Sequence, residues 1–135
     1  MTKSALFSRF LTDDDKEQNG VWIDFGDGIR VKVRRLKSKR SLEVRKELEK
    51  PFLDQIRRGP LPSDTAEELL LQQMSRGLIV DWEGIDLGDG EVVSYSPARA
   101  YDVLKALPEF RDSIFSVCVD ADNYRAQIDE DAEKN

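Results

Sequence analysis

Histidine is absent from the 135 residues, and cysteine occurs once. The first absence removes the usual general base, the Ser-His and Cys-His nucleophile pairs, and most zinc and iron sites. The second removes an internal disulfide and any CxxC site. Cys118 lies in the apolar run 114–119 and reads as a buried small hydrophobe of a protein in a reducing compartment. No apolar run approaches the roughly 20 residues of a membrane span. Arg9 and Asp13-Asp14-Asp15 follow Leu6 and Phe7 closely, which does not fit a signal peptide. Neither GxGxxG nor GK[ST] occurs, so the glycines form no recognised phosphate loop. Asp24, Asp27, Asp86 and Asp89 stand beside glycines without EF-hand spacing, which is the chemistry of tight turns. A non-enzymatic domain without cofactor or metal is expected.

Charge is abundant, at 36% of residues, with a net value of −6. It is unevenly placed. Between positions 30 and 40 stand Arg30, Lys32, Arg34, Arg35, Lys37, Lys39 and Arg40 with no acid among them, which leaves −13 on the rest of the chain. Acid gathers at Asp13-Asp14-Asp15 and in the tail 129–133. The basic strip reads either as a docking site for an acidic partner or for phosphates, or as a solvated face paired with the chain's own acids. Nucleic acid is the weaker partner, because the domain is acidic overall and the strip has no aromatic residue for stacking.

Periodicity predicts an α+β protein, mainly helical: an N-terminal β-hairpin, then a small bundle of about four helices with a second short hairpin or turn. Residues 1–19 read as a flexible, weakly structured lead, 20–126 as one globular domain, and 127–135 as a disordered acidic tail. Within the lead, Leu6, Phe7, Phe10 and Leu11 share the spacing of one short helical face that could dock on the core or on a partner.

Val21, Ile23 and Phe25 alternate with polar positions or Trp22. Gly26-Asp27-Gly28 supplies a turn, and Ile29 to Arg34 alternates strictly, with Arg30, Lys32 and Arg34 facing outward. Residues 41–58 predict a helix capped by Ser38 or Ser41 and broken by Pro51 near Lys50. Leu42, Val44, Leu48, Phe52, Leu53 and Ile56 form its imperfect inner face. A second helix spans 63–79, with Asp64 and Glu67 at capping-box spacing, Ser63 as the alternative cap, and Gly77 weakening its end. Trp82 and Gly88-Asp89-Gly90 fall in a small hairpin or structured loop.

Ser96-Pro97 starts a third helix with Ala100, Val103, Leu104 and Leu107 inward, and Pro108 starts a fourth. The segment 23–31 matches 85–93 at six of nine positions, which two tight turns of the same chemistry explain. Trp22 and Trp82 read as packing residues, with interface anchoring as the alternative.

Two segments carry a resemblance. The first runs Gly20-Val21-Trp22-Ile23-Asp24-Phe25-Gly26-Asp27-Gly28 through Arg34-Arg35-Leu36, then Ser41-Leu42-Glu43-Val44-Arg45-Lys46-Glu47-Leu48 and Lys50-Pro51-Phe52. The second runs Ile79-Val80-Asp81-Trp82-Glu83-Gly84-Ile85, then Asp89-Gly90, then Tyr95-Ser96-Pro97-Ala98-Arg99-Ala100-Tyr101-Asp102-Val103-Leu104. Their order resembles the tail assembly chaperones of long-tailed bacteriophages and covers residues 20–125.

The resemblance implies a non-enzymatic protein of the host cytoplasm, absent from the mature virion. Such a protein binds the tape measure protein, keeps its helices in solution and assists assembly of the tail tube. Contact with the tube protein and self-association stay open, as does a role for the basic strip and the two tryptophans at the partner surface. A ribosomal frameshift near the gene's end is common in such phages. Glu133-Lys134-Asn135 can be encoded by GAA AAA AAC, which contains a slippery heptamer. The rival reading is a structural tail or head-tail connector protein that stays in the particle.

Overall fold

The computed structural model describes residues 4–127. Strands β1 (Val21–Gly26) and β2 (Ile29–Val33) form the expected hairpin. Asp27 takes φ 56° between two glycines of positive φ, and the Asp24 carboxylate accepts the Gly26 amide at 2.8 Å, so the turn is closed by its own polar residues. The hairpin does not stand alone. Strand β3 (Ile79–Glu83) pairs antiparallel with β2, giving a three-stranded sheet in the order β1-β2-β3.

Residues 79–83 therefore extend the first hairpin, and the rest of that stretch forms the structured loop that the sequence offers beside a second hairpin. Beyond β3 the chain makes a tight loop, in which the Asp86 carboxylate accepts the Gly88 and Gly90 amides and an isolated bridge joins Asp86 to Val92. The repeated Ile-Asp-x-Gly-Asp-Gly stretch thus serves two turns with the same aspartate-to-amide bond, two residues ahead.

The first helices lie in the segment read as a weakly structured lead: α1 (Ala5–Phe10) and α2 (Asp14–Asn19). Ser4 caps one and Asp13 the other through their side-chain oxygens. Asp13 donates its amide to the Tyr124 carbonyl at 2.8 Å, and Ala126 donates to Leu11 at 3.1 Å. Lys16 Nζ donates to the Arg125 carbonyl at 2.9 Å. The two ends of the described chain are thereby clasped. Of the tail read as disordered, all but Gln127 lies outside the described residues.

Helix α3 (Lys39–Glu49) starts on the Ser38 cap, and a 3₁₀ turn at Lys50–Phe52 absorbs Pro51 before α4 (Leu53–Arg58). Ser41 and Val44 are buried, whereas Leu42 and Leu53 are 46% and 45% exposed, contrary to the expected inner face. Val44 and Leu48 share the inward stripe with Ser41, whereas Leu42 falls on the next stripe beside Lys46 and Glu49, which Leu53 continues on α4.

Helix α5 (Ser63–Gln73) begins after Pro62 with no side-chain cap, since Asp64 accepts only from its neighbour Thr65. Its end widens into a π-turn at Met74–Leu78. There a Cβ on Gly77 would stand 3.1 Å from the Ser41 Cα, so the backbone of this turn lies against α3. Helices α6 (Pro97–Ala106) and α7 (Pro108–Val119) start where their prolines and, for α6, the Ser96 cap predict. Leu107, expected inward, is exposed between them.

The core lies between the inner sheet face and the helices. Val31, Val33, Met74, Leu78, Ile79, Leu104, Ile114 and Cys118 are at most 1% exposed. Trp82 fills the sheet side, donates Nε1–H to the Val93 carbonyl at 2.8 Å and meets Tyr95 edge-on at 5.5 Å. Burial pushes the Cys118 thiol up to about 12, only partly offset by its bond with Tyr124, which keeps the thiol protonated at neutral pH.

Gly84 ends β3 at φ +72°, and a Cβ there would stand 2.3 Å from the Gly28 carbonyl oxygen. Gly88, at φ +105°, has nothing near it. Gly84→Ala is expected to cost more than about 2 kcal/mol and Gly88→Ala about 1 kcal/mol. Urea denaturation of the two variants beside the parent measures the difference, and equal costs would contradict the close approach of β3 to the hairpin turn.

Candidate functional site

The basic strip begins on the open sheet face and ends at α3. On the sheet, Arg30 lies 4.7 Å above the Trp22 ring and bonds Glu83 across the strands at 3.1 Å. Trp22 is half-buried beneath this pair. Lys32 is half-buried on the same face, in register with Asp81 of β3 but in no close ion pair among the described residues.

Past Val33 the strip turns inward. Arg34 donates Nε–H to the Gln18 carbonyl at 2.8 Å and Nη1–H to the Gly77 carbonyl at 3.3 Å. It is partly desolvated, and burial, helped by the nearby Arg40 charge, lowers its pKa. Arg35 forms a 2.5 Å ion pair with Glu17, both side chains less than one-fifth exposed. Burial would raise the Glu17 pKa, but bonds from Arg35 and Thr12 and the Arg35 charge outweigh it, so the carboxyl lies below its ordinary value. Lys37 and Lys39 are exposed, and the exposed Arg40 approaches Glu43 at 3.8 Å.

The seven residues therefore divide. Arg34 and Arg35 fasten α2 and the π-turn to the end of β2. Arg30, Lys32, Lys37, Lys39 and Arg40 present charge outward. Trp82 belongs to the core.

Other accessible features are apolar. A groove of about 280 Å³ between α3, α5 and α7 is lined chiefly by Leu36, Leu48, Leu61, Leu69, Leu70 and Phe115. Beyond the Arg45–Glu49 pair (3.4 Å) a second hollow of about 360 Å³ lies between Leu42 and Leu53, edged by Lys46 and Lys50. On α1, Leu6, Phe7, Phe10 and Leu11 are 63%, 57%, 61% and 41% exposed. The α1 face was legible from its spacing. The groove was not, because it needs three helices brought together by the fold.

Among the described residues no three His, Cys, Asp or Glu side chains gather as a metal site, and no helix is long and apolar enough to cross a membrane. This surface suits binding through apolar helix faces.

The family model of the YdaY prophage proteins matches residues 36–135. The chain belongs to the YdaY prophage protein family. The match takes in every helix from α3 onward together with β3, and leaves α1, α2 and the β1–β2 hairpin outside it. No curated protein and no solved structure matches the chain. Membership in the YdaY family marks a phage-derived protein.

The Glu17–Arg35 pair makes stability depend on acid. A carboxyl depressed in the folded state contributes its full stabilisation above the ordinary carboxylate value and loses it as pH falls through the folded value. Glu17→Gln is expected to cost about 1.5–3 kcal/mol at neutral pH. The difference from the parent should shrink as pH falls through the acid range. Denaturation curves at stepped pH check both statements, and a difference that does not vary with pH would show the pair to be unimportant.

Proposed function

We propose that this prophage-family protein is a non-enzymatic tail assembly chaperone that binds the tape measure protein and assists tail tube assembly in the host cytoplasm. The observation that carries the reading is the apolar groove between α3, α5 and α7, open at the surface with Leu48, Leu61, Leu69, Leu70 and Phe115 along it. A tape measure protein is long and helical, and its amphipathic helices would aggregate if left bare. A groove of this kind takes one apolar helical face through residues at i, i+3, i+4 and i+7 spacing.

Two further points support the reading. Phage descent agrees with it, and so does the resemblance carried by residues 20–36 and 79–104. The exposed cations of the strip would act on the approach of a partner rather than in its final seat, since charges at the rim of an interface change encounter rate more than residence time.

Co-expression with the tape measure protein, with capture through a tag on this chain, tests the proposal. The parent should retain the tape measure protein in the soluble fraction. Leu69→Ser with Phe115→Ala should lose most of that capture while the chain still unfolds cooperatively. Charge reversal at Arg30 and Lys32 should weaken capture far less. Arg34 is left unchanged in that control because its guanidinium holds two backbone carbonyls. Failure of the parent to capture, together with its presence in finished particles, would replace the chaperone by a structural tail or connector protein.

A further inference from the structure

Two surfaces of the chain are each unpartnered, and they complement one another. The donor surface is the N-terminal segment. Helix α1 buries none of its residues, and its four large apolar side chains fall on one side at positions 6, 7, 10 and 11. Its C-terminal end is fixed by the clasp, where Leu11 accepts the Ala126 amide and Thr12 bridges to Arg125. Directly after it, at the start of α2, come the exposed Asp14 and Asp15. Their carboxylates accept only from the neutral amides of Gln18 and Asn19, at 3.4 and 2.6 Å, so both charges stay uncompensated among the described residues. The segment is thus apolar and then acidic.

The acceptor surface is the outer stripe of α3 and α4. Leu42 and Leu53 flank the hollow of about 360 Å³. Glu49 also lines it, with its charge met by Arg45 at 3.4 Å, and the exposed Lys46 and Lys50, one helical turn apart, line it without a carboxylate partner among the described residues. The hollow is an open trough along this one helical stretch, and α1 offers two rings to lie against Leu42 and Leu53, Phe7 and Phe10, three residues apart. The chain is acidic overall, yet this edge is basic, so a second copy meets attraction here where most of its surface would be repelled.

We infer that α1 and the Asp14–Asp15 edge of one copy dock on the Leu42–Leu53 hollow of a second copy, Phe7 and Phe10 entering the hollow and the two aspartates facing Lys46 and Lys50. Donor and acceptor are different surfaces of the same chain, so the contact is head-to-tail: every copy gives one segment and receives one, and the assembly closes as a ring or extends as a chain. The contact lies across the Arg45–Glu49 pair from the groove assigned to the tape measure protein, and it does not depend on that assignment.

Sedimentation velocity of the purified full chain over a wide concentration range tests it. The parent should gain mass with concentration. Phe7→Ser with Phe10→Ser removes the donor, and Lys46→Glu with Lys50→Glu spoils the acceptor. All four side chains are exposed or edge the hollow, so both variants should unfold like the parent by circular dichroism while sedimenting as monomers. Mixed in equal amounts, they should form a one-to-one dimer that does not grow, because one retains an intact acceptor and the other an intact donor. A parent that stays monomeric throughout would overturn the inference, whether α1 then folds back on its own chain or awaits another protein. Association that survives in either variant, or a mixture that yields no dimer, would overturn it equally.

Discussion

Strand β2 has a neighbour on each edge, so the chain beyond it must leave from the middle of the sheet. A backbone that exits there passes through other segments and has to find partners for each amide and carbonyl on the way. It does so residue by residue. The Arg34 amide meets the Leu78 carbonyl, the Arg35 amide meets Glu17, the Leu36 amide meets Cys118, and the Lys39 amide meets the Gln18 side chain. Separate parts of the chain converge on this short stretch. The side chains add to the same convergence, Arg34 through two carbonyls and Arg35 through Glu17. A partly buried pair of this kind is costly to break singly, because the survivor keeps its charge with little water and no partner.

That constraint explains what became of the most conspicuous feature of the sequence. A run of basic residues reads as a continuous stripe when only spacing is known. The stripe holds on the strand, where alternation directs Arg30 and Lys32 to the open face. It fails at Arg34, because alternation carries no information past the strand's end, and there the chain is packed. The hairpin, the Pro51 break and the starts at Ser96-Pro97 and Pro108 were legible because each rests on local chemistry: a positive-φ turn, a missing amide donor, a cap.

The third strand was not legible. Its pairing with β2 joins residues about fifty positions apart, which no local signal announces, whereas the glycine-aspartate turn after it is local chemistry and forms as a structured loop. The inward assignments of Leu42, Leu53 and Leu107 failed for a related reason. A helix with two apolar stripes does not say which one the rest of the fold will cover. Of the candidate surfaces, α1 could be read from four residues. The groove along α3, α5 and α7 exists only after Leu36, Leu61 and Phe115 arrive from distant parts of the chain.

The family match begins near the exit of β2 and takes in the helical part, while α1, α2 and the first two strands precede it. The N-terminal elements carry the acidic donor segment and the Arg30–Lys32 strand, whose cations stand in register with Glu83 and Asp81, and the helical part carries the groove and the hollow. Surface apolar patches are expensive for a protein that stays alone, since they invite indiscriminate association. Here they are divided among separate places, each rimmed by charge, which favours ordered contacts over a general stickiness.

The clasp between residues 11–13 and 124–126 has a consequence for the order in which the molecule opens. The Lys16–Arg125 bond joins residues 109 positions apart. Closing so long a loop carries a large entropic cost for few contacts. The clasp should therefore be the last tertiary contact to form and among the first to fluctuate, well before the sheet or the core yields. Amide hydrogens at Asp13 and Ala126 would exchange on a faster clock than those of β2, and the angle at which α1 is offered would vary on that same clock.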